Sequence, residues 1–308
     1  MFKMTCGTDN SFTELYQTEA DCAAALYCAK WPEGFRCPRC GHHSAYTLQT
    51  RRLPLYECTA CHRQTSLTAG TVMEGSRTPL LKWFFAIYSI CHSSASINAI
   101  KLAGLIQVTY KTAWLILHKL RHAITTAESQ IRLSNVVRVD CSRFYSLYNV
   151  KHQNHRVLLA AQTSTGDHIV QFKSEPVPAA GETQFPYLQT AYVQPDVKQF
   201  VHRYIDPSAT VINGGHQLVY QLRFWPLRQV LKQASSTLND AYHGLGTKYL
   251  HAYLNEYAFR INAVEREELP APTLISYCSR VPVITYPQLI GKERAPSLRV
   301  YNVMQATA

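Results

Sequence analysis

The chain has no apolar run long enough to cross a membrane. Its longest, such as Trp83–Tyr88, fall far short of the roughly 18–20 residues a span needs. It has no internal repeat and no low-complexity tract, so neither a repeat array nor a linker-like polymer is expected. The N-terminus has no basic cluster followed by an apolar stretch and a small-residue cleavage site, which argues against a secretory signal. The expected location is therefore the cytoplasm, with nucleoid association if the source is bacterial. Acid is also scarce: 20 Asp and Glu stand against 31 Lys and Arg, for a formal net charge of +11. Between Gly75 and Ala127 there is no acid at all, only Arg77, Lys82, Lys101, Lys111, Lys119 and Arg121. A folded segment with that bias suits a polyanion, although a generally basic protein with a solvated helical face would read the same way.

What is present is globular. An apolar fraction of 46% with 17% charged residues excludes wholesale disorder, and 308 residues suffice for two or three domains. The organisation expected is an N-terminal helical segment (1–34), a cysteine-bearing ribbon (35–72), a helical block (73–130), an α/β region (131–265) and an irregular Pro-rich tail (266–308). One short helix is read over Glu14–Ala29, and the run Glu175–Gly181 is read as a loop or hinge.

Ten cysteines in a reducing compartment are thiols or metal ligands rather than a disulfide framework. Cys37-Pro-Arg-Cys40 and Cys58-Thr-Ala-Cys61 are two C-x-x-C knuckles separated by 17 residues. Two residues between thiolates let each knuckle chelate one edge of a tetrahedron, and the intervening stretch holds a hairpin that brings in the other edge. Short strands at Tyr46–Leu48 and Leu55–Tyr56 would form it. Cys61-His62 also completes a C-x-x-C-H haem-attachment string, but that chemistry leaves Cys37 and Cys40 idle. A structural Zn²⁺ held by Cys37, Cys40, Cys58 and Cys61 is the expectation, with His42, His43 and His62 as surface residues beside it. The remaining cysteines are expected to be small core residues.

Thr78-Pro79 opens a helix continued by Leu80–Ile90. Ser96 is read as the cap of a shorter helix, Ile97–Leu102, ended by Gly104. Thr109 caps a third, from Tyr110 to about Thr125. In that helix Ala113, Ile116, Leu117, Leu120 and Ile124 make the buried stripe, leaving Lys111, His118 and His122 opposite, Thr112 and Lys119 on one flank and Trp114 and Arg121 on the other. A short helix, a tight turn and a longer basic helix form the helix-turn-helix pattern, which places the second helix in the major groove of duplex DNA. Lys111, Thr112, Lys119 and Arg121 are the candidate DNA-binding residues. An ordinary three-helix packing unit is the competing reading.

These residues resemble a known family. Trp31-Pro-x-Gly-Phe before Cys37-Pro-x-Cys-Gly41, then Gly70-Thr71 and Thr78-Pro-Leu-x-x-Trp83, is similar to the zinc-ribbon transposases of bacterial insertion sequences related to the Merlin transposons. Thr112-Ala-Trp114 with His118-Lys-Leu-Arg121 resembles that family's helix-turn-helix. Val137-x-Val-Asp140 resembles the strand bearing its first catalytic carboxylate. Tyr242-His-Gly244 and Leu250-x-x-Tyr-Leu-Asn-Glu-Tyr-x-Phe-Arg-x-Asn262 resemble its late helix. The resemblance implies a mixed α/β chain in which a zinc ribbon and helix-turn-helix precede an RNase H-like domain. It also implies a homo-oligomer on double-stranded DNA at transposon ends, and strand cleavage and transfer by two Mg²⁺ held between carboxylates. Strands are expected at Val136–Asp140, Val157–Gln162, His168–Ser174 and Thr210–Asn213.

The departures from the family pattern decide the functional expectation. Asp140 is present, but Cys141 follows it where the family often has an acid. Gly214 stands where an Asp is expected, and the third ligand position falls near Gln233 and Ser235. Asp206, Asn239, Asp240 or Glu256 could substitute. A single carboxylate does not organise two hard cations, so Asp140 is expected to be a remnant, with Mg²⁺ bound only if the protein is active. The expected function is a DNA-binding protein of the transposase type with impaired catalysis. The alternatives are an active transposase and an unrelated zinc-ribbon regulator.

Overall fold

A computed structural model describes residues 10–49, 51–92, 96–145, 154–164, 169–176, 197–213 and 224–291. Gly214, Cys6, residues 177–181 and the end of the chain from 292 lie outside the described residues. In chain order come α1 (Asn10–Leu15), α2 (Glu19–Lys30), β1 (Ala45–Leu48), β2 (Leu55–Cys58), β3 (Gln64–Ser66), α3 (Leu80–His92), α4 (Ala99–Ile106) and α5 (Tyr110–Glu128). The second half has β4 (Val136–Tyr145), β5 (Asn154–Thr163), β6 (Ile169–Pro176), α6 (Val197–Tyr204), β7 (Thr210–Asn213), α7 (Trp225–Tyr242), α8 (Thr247–Glu265), α9 (Pro270–Arg280) and α10 (Tyr286–Leu289).

Local chemistry sets the helix boundaries and corrects three expectations. The single helix read over Glu14–Ala29 is two, because Thr18 and Asp21 form a capping box that starts α2 afresh: the Thr18 amide donates to Asp21 Oδ2 at 2.7 Å. The short helix begins after Asn98, not Ser96. Asn98 Oδ1 accepts from the Lys101 amide at 2.8 Å, while Gln107, in the left-handed region at φ 51°, ends the helix and Gly104 lies inside it. α5 starts where Thr109 caps it, its hydroxyl accepting from the Thr112 amide. The region after 266, read as irregular, contains α9. Pro270 and Pro272 look like breakers in sequence, yet proline is tolerated in a helix's first turn, and Ala271, Leu274, Ile275 and Cys278 then fall on one buried face.

Two sheets result. β1, β2 and β3 form an antiparallel meander with Leu48 opposite Leu55. The larger sheet has strand order β6-β5-β4-β7, with β4, β5 and β6 antiparallel and β7 parallel to β4, Val139 opposite Asn213. Alternation along the strands assigns two faces. Phe144, Val157, Leu159, Ala161 and Phe172 pack against α7 and α8, while Val137, Val139, Leu158 and Ala160 pack against Phe200 and Tyr204 of α6.

A third apolar cluster joins α2, α3, α4, α5 and α9, with Trp83, Phe84, Leu120 and Leu274 buried in it. α5 is shared by both halves of the chain. At its end, buried Glu128 receives Lys173 Nζ of β6 at 2.9 Å, Arg266 Nη2 at 3.0 Å and the Tyr277 hydroxyl of α9 at 3.0 Å.

Candidate metal centre and nucleic-acid interface

The four cysteines converge. Their sulfurs all lie within 4.8 Å of one another, with Cys37–Cys61 and Cys40–Cys58 each at 3.6 Å. A tetrahedral zinc with Zn–S bonds of about 2.3 Å has S···S edges of about 3.8 Å, so the donor set fits Zn²⁺ in both chemistry and spacing. The two knuckles are built alike. Gly41 N donates to Cys37 O at 2.9 Å and His62 N to Cys58 O at 3.0 Å. Both turn residues are left-handed, at φ 74° and 55°, which Gly41 adopts without strain and His62 tolerates. His42, His43 and His62 are exposed, and none joins the cluster.

The hairpin carries few apolar residues and rests on an aromatic bed, with Trp31 stacked edge-on to Phe35 and Tyr56 at ring separations of 5.0 and 5.2 Å. Lys30 pins its far end. The ammonium donates to the carbonyls of Ser66, Leu67 and Ala69, and burial pulls its pKa down to about 8.

The helical block divides its cations. Arg77, Lys101 and Lys111 are exposed, and Thr112 is half-buried beside Lys111 at the start of α5. Lys82 is half-buried and donates to Gln107 O, bracing the turn between α4 and α5. Lys119 and Arg121 are buried, which corrects their placement on an outward flank. The helical-wheel reading assumed one buried face, whereas α5 is enclosed by α4, α8 and α9, and its C-terminal two-thirds bury nearly all round. Arg121, 1% exposed, pairs with Glu256, 0% exposed, through Nε to Oε2 at 2.6 Å. Its Nη2 donates to the Tyr242 hydroxyl at 2.9 Å, and the guanidinium lies 4.1 Å from the Tyr253 ring centre. Glu256 is thus committed to Arg121, not to a site at Asp140.

Asp140 sits on β4, 1% exposed, facing α7. Arg228 Nε reaches its Oδ2 at 2.7 Å and Nη2 its Oδ1 at 3.3 Å, and the Cys141 amide donates to Oδ1 at 2.7 Å. Neither α7 nor Arg228 was anticipated from sequence. The signal was available in Pro226 followed by Leu227, Val230, Leu231, Ala234 and Leu238 at helical spacing. The proposed substitutes stand elsewhere. Asp206 accepts from the amide and hydroxyl of Ser208 in the turn before β7. Asp240 is exposed, more than three turns along α7 from Arg228. Asn239 donates to Tyr145 O, Gln233 is exposed, and Ser235 bonds Leu231 O. Among the described residues, the four cysteines are the one group of three or more His, Cys, Asp or Glu side chains close enough to share an ion.

A four-thiolate hairpin followed by a helical block and a mixed sheet defines a zinc-ribbon protein of mixed α/β architecture. Residues 17–64 match the model of a transposase zinc-ribbon domain. The chain is 33% identical over 100 residues to an uncharacterized protein in transposable element ISH50 of Halobacterium salinarum, covering 32% of this chain and 33% of that protein. The match therefore spans about a third of that relative's length. No solved structure matches. No helix among the described residues is long and apolar enough to cross a membrane.

Proposed function

We propose that the protein is a DNA-binding protein of the insertion-sequence transposase type, whose RNase H-like domain is catalytically impaired. The pairing of Asp140 with Arg228 carries this reading. A two-metal centre needs several carboxylates around one point to neutralise two divalent cations. Among the described residues, that point holds one carboxylate, already neutralised by a guanidinium, a group that is never deprotonated in proteins and leaves only by displacement. The sheet order, three antiparallel strands with a parallel fourth added beside the first, supports the RNase H-like reading of the domain.

DNA binding rests on the zinc ribbon and on the exposed start of α5. There Lys111, Thr112 and, from α4, Lys101 lie on an acid-free segment suited to a phosphate backbone. The test has two arms. In fluorescence anisotropy at varied salt, Lys111→Ala should weaken duplex binding across sequences and flatten the salt slope by about one unit. In a Mg²⁺- or Mn²⁺-dependent nicking assay on the flanking terminal repeats, no cleavage is expected. Cation-dependent cleavage that disappears in Asp140→Ala would restore the active enzyme while leaving the DNA-binding arm intact.

A further inference from the structure

Three segments far apart in sequence meet around Trp114. From α5 come Tyr110 and, one turn on, Trp114; from α8, Lys248 and Tyr249; from α10, Tyr286. The Trp114 ring lies 6.0 Å from Tyr249 and 6.0 Å from Tyr286, both edge-on. Lys248 Nζ sits 5.3 Å from the Tyr249 ring centre and donates to Ile290 O at 2.6 Å. Two of the rings stand well out into solvent: Tyr110 and Tyr286 are each 54% exposed.

α10 is fixed without contributing a residue to the core. None of its residues is buried, yet Thr285 and Gln288 form a capping box at one end and Lys248 holds the other. A single turn fixed at both ends, displaying an aromatic ring rather than filling a core, is a pre-organised contact. The charge around it has one sign. Tyr110–Ala127, His243–Asn255 and Leu269–Gly291 contain no Asp or Glu, while Lys111 and Lys248 are exposed beside the rings.

We propose that the surface formed by Tyr110, Lys111, Trp114, Lys248 and Tyr286 binds unpaired nucleotides of DNA that continue from the duplex held by the start of α5. This rests on the DNA-binding reading above and extends it. Exposed rings interleaved with lysines stack bases and neutralise phosphates, but the base faces of a duplex are covered by their neighbours, so such a surface gains most from a single strand. Deoxyribonucleotides are the source chosen because the patch is continuous with the exposed start of α5.

The experiment compares the full-length protein on a blunt duplex and on the same duplex with an oligo-dT single-stranded extension, by fluorescence anisotropy. The extension should tighten binding by about tenfold, the scale of one base–aromatic stack. Tyr286→Ala should abolish that gain without changing blunt-duplex affinity, and Tyr286→Phe should retain it. Lys248→Gln should flatten the salt slope on the extended DNA by somewhat under one unit. If the extension gives no gain, or Tyr286→Ala keeps it, this proposal falls while duplex binding stands. If neither DNA is bound, the DNA-binding reading falls with it.

Discussion

Arg121 offers the sharpest separation between a structural and a DNA-contacting cation. Both it and Glu256 are essentially inaccessible, at 1% and 0% exposure, and they join α5 to α8 across 135 residues of sequence. Arg121→Met removes the charge but keeps most of the length, leaving Glu256 buried without its partner. Breaking a buried pair in this way costs about 3–5 kcal/mol, and losing the donation to Tyr242 adds little because that hydroxyl still bonds Ile97 O at 2.9 Å. Thermal unfolding followed by circular dichroism should therefore show Tm lower by on the order of 10 °C. The double variant Arg121→Met, Glu256→Leu should recover most of the loss, since an apolar pair of similar volume is often as stable as the ion pair it replaces. In the folded fraction of Arg121→Met the salt slope for duplex binding should match the parent's. An unchanged Tm together with a slope flattened by about one unit would refute the argument and return Arg121 to the phosphates.

Two further outcomes follow from the same geometry. Metal analysis of purified protein should find one zinc, and chelation or Cys58→Ser should unfold residues 35–65, read by loss of amide-exchange protection there, because the hairpin has too little apolar content to hold itself; full retention of protection in metal-free protein contradicts this. His118 is buried, its ring tilted against Trp114 with centroids 4.0 Å apart, and desolvation pulls its pKa down to about 3. Its folded form binds fewer protons than the unfolded chain between about pH 3 and 6.5. Stability is therefore complete above 6.5 and lost as pH falls, by up to about 1.4 kcal/mol per unit. Denaturant midpoints for His118→Phe should fall less steeply over that window, and parallel curves would count against a buried neutral imidazole.

What could be read from the sequence was local. Two C-x-x-C knuckles at zinc-ribbon spacing describe the metal centre without tertiary knowledge, because each knuckle is closed by its own backbone hydrogen bond. The Thr109 cap and the β-branched runs that became β4, β5, β6 and β7 are equally local. What was not legible depended on which helix covers which face. One apolar stripe on α5, taken alone, leaves Lys119 and Arg121 facing outward. Only the packing of α8 and α9 onto its other sides makes the interior accept a guanidinium, and only then because Glu256 arrives with it. α9 was hidden by Pro270 and Pro272, which are loop signals in isolation and first-turn residues in context.

The same arrangement recurs at the two buried carboxylates considered as metal ligands. Glu256 meets Arg121 from α5, and Asp140 meets Arg228 from α7, each at hydrogen-bond distance. A buried carboxylate must be neutralised by something. In a two-metal centre several share divalent cations, but an ion bound so weakly by one carboxylate could not offset its desolvation. A guanidinium carried on a packed helix does so one to one, with a fork that also satisfies the lone pairs. The fold can hold Asp140 buried in its strand without other acids beside it, since α7 supplies the counter-charge and the Cys141 amide supplies a further hydrogen bond. The presence of Asp140 at this strand position is for that reason no measure of activity. Its pairing with Arg228 is accounted for by the stability of β4 against α7.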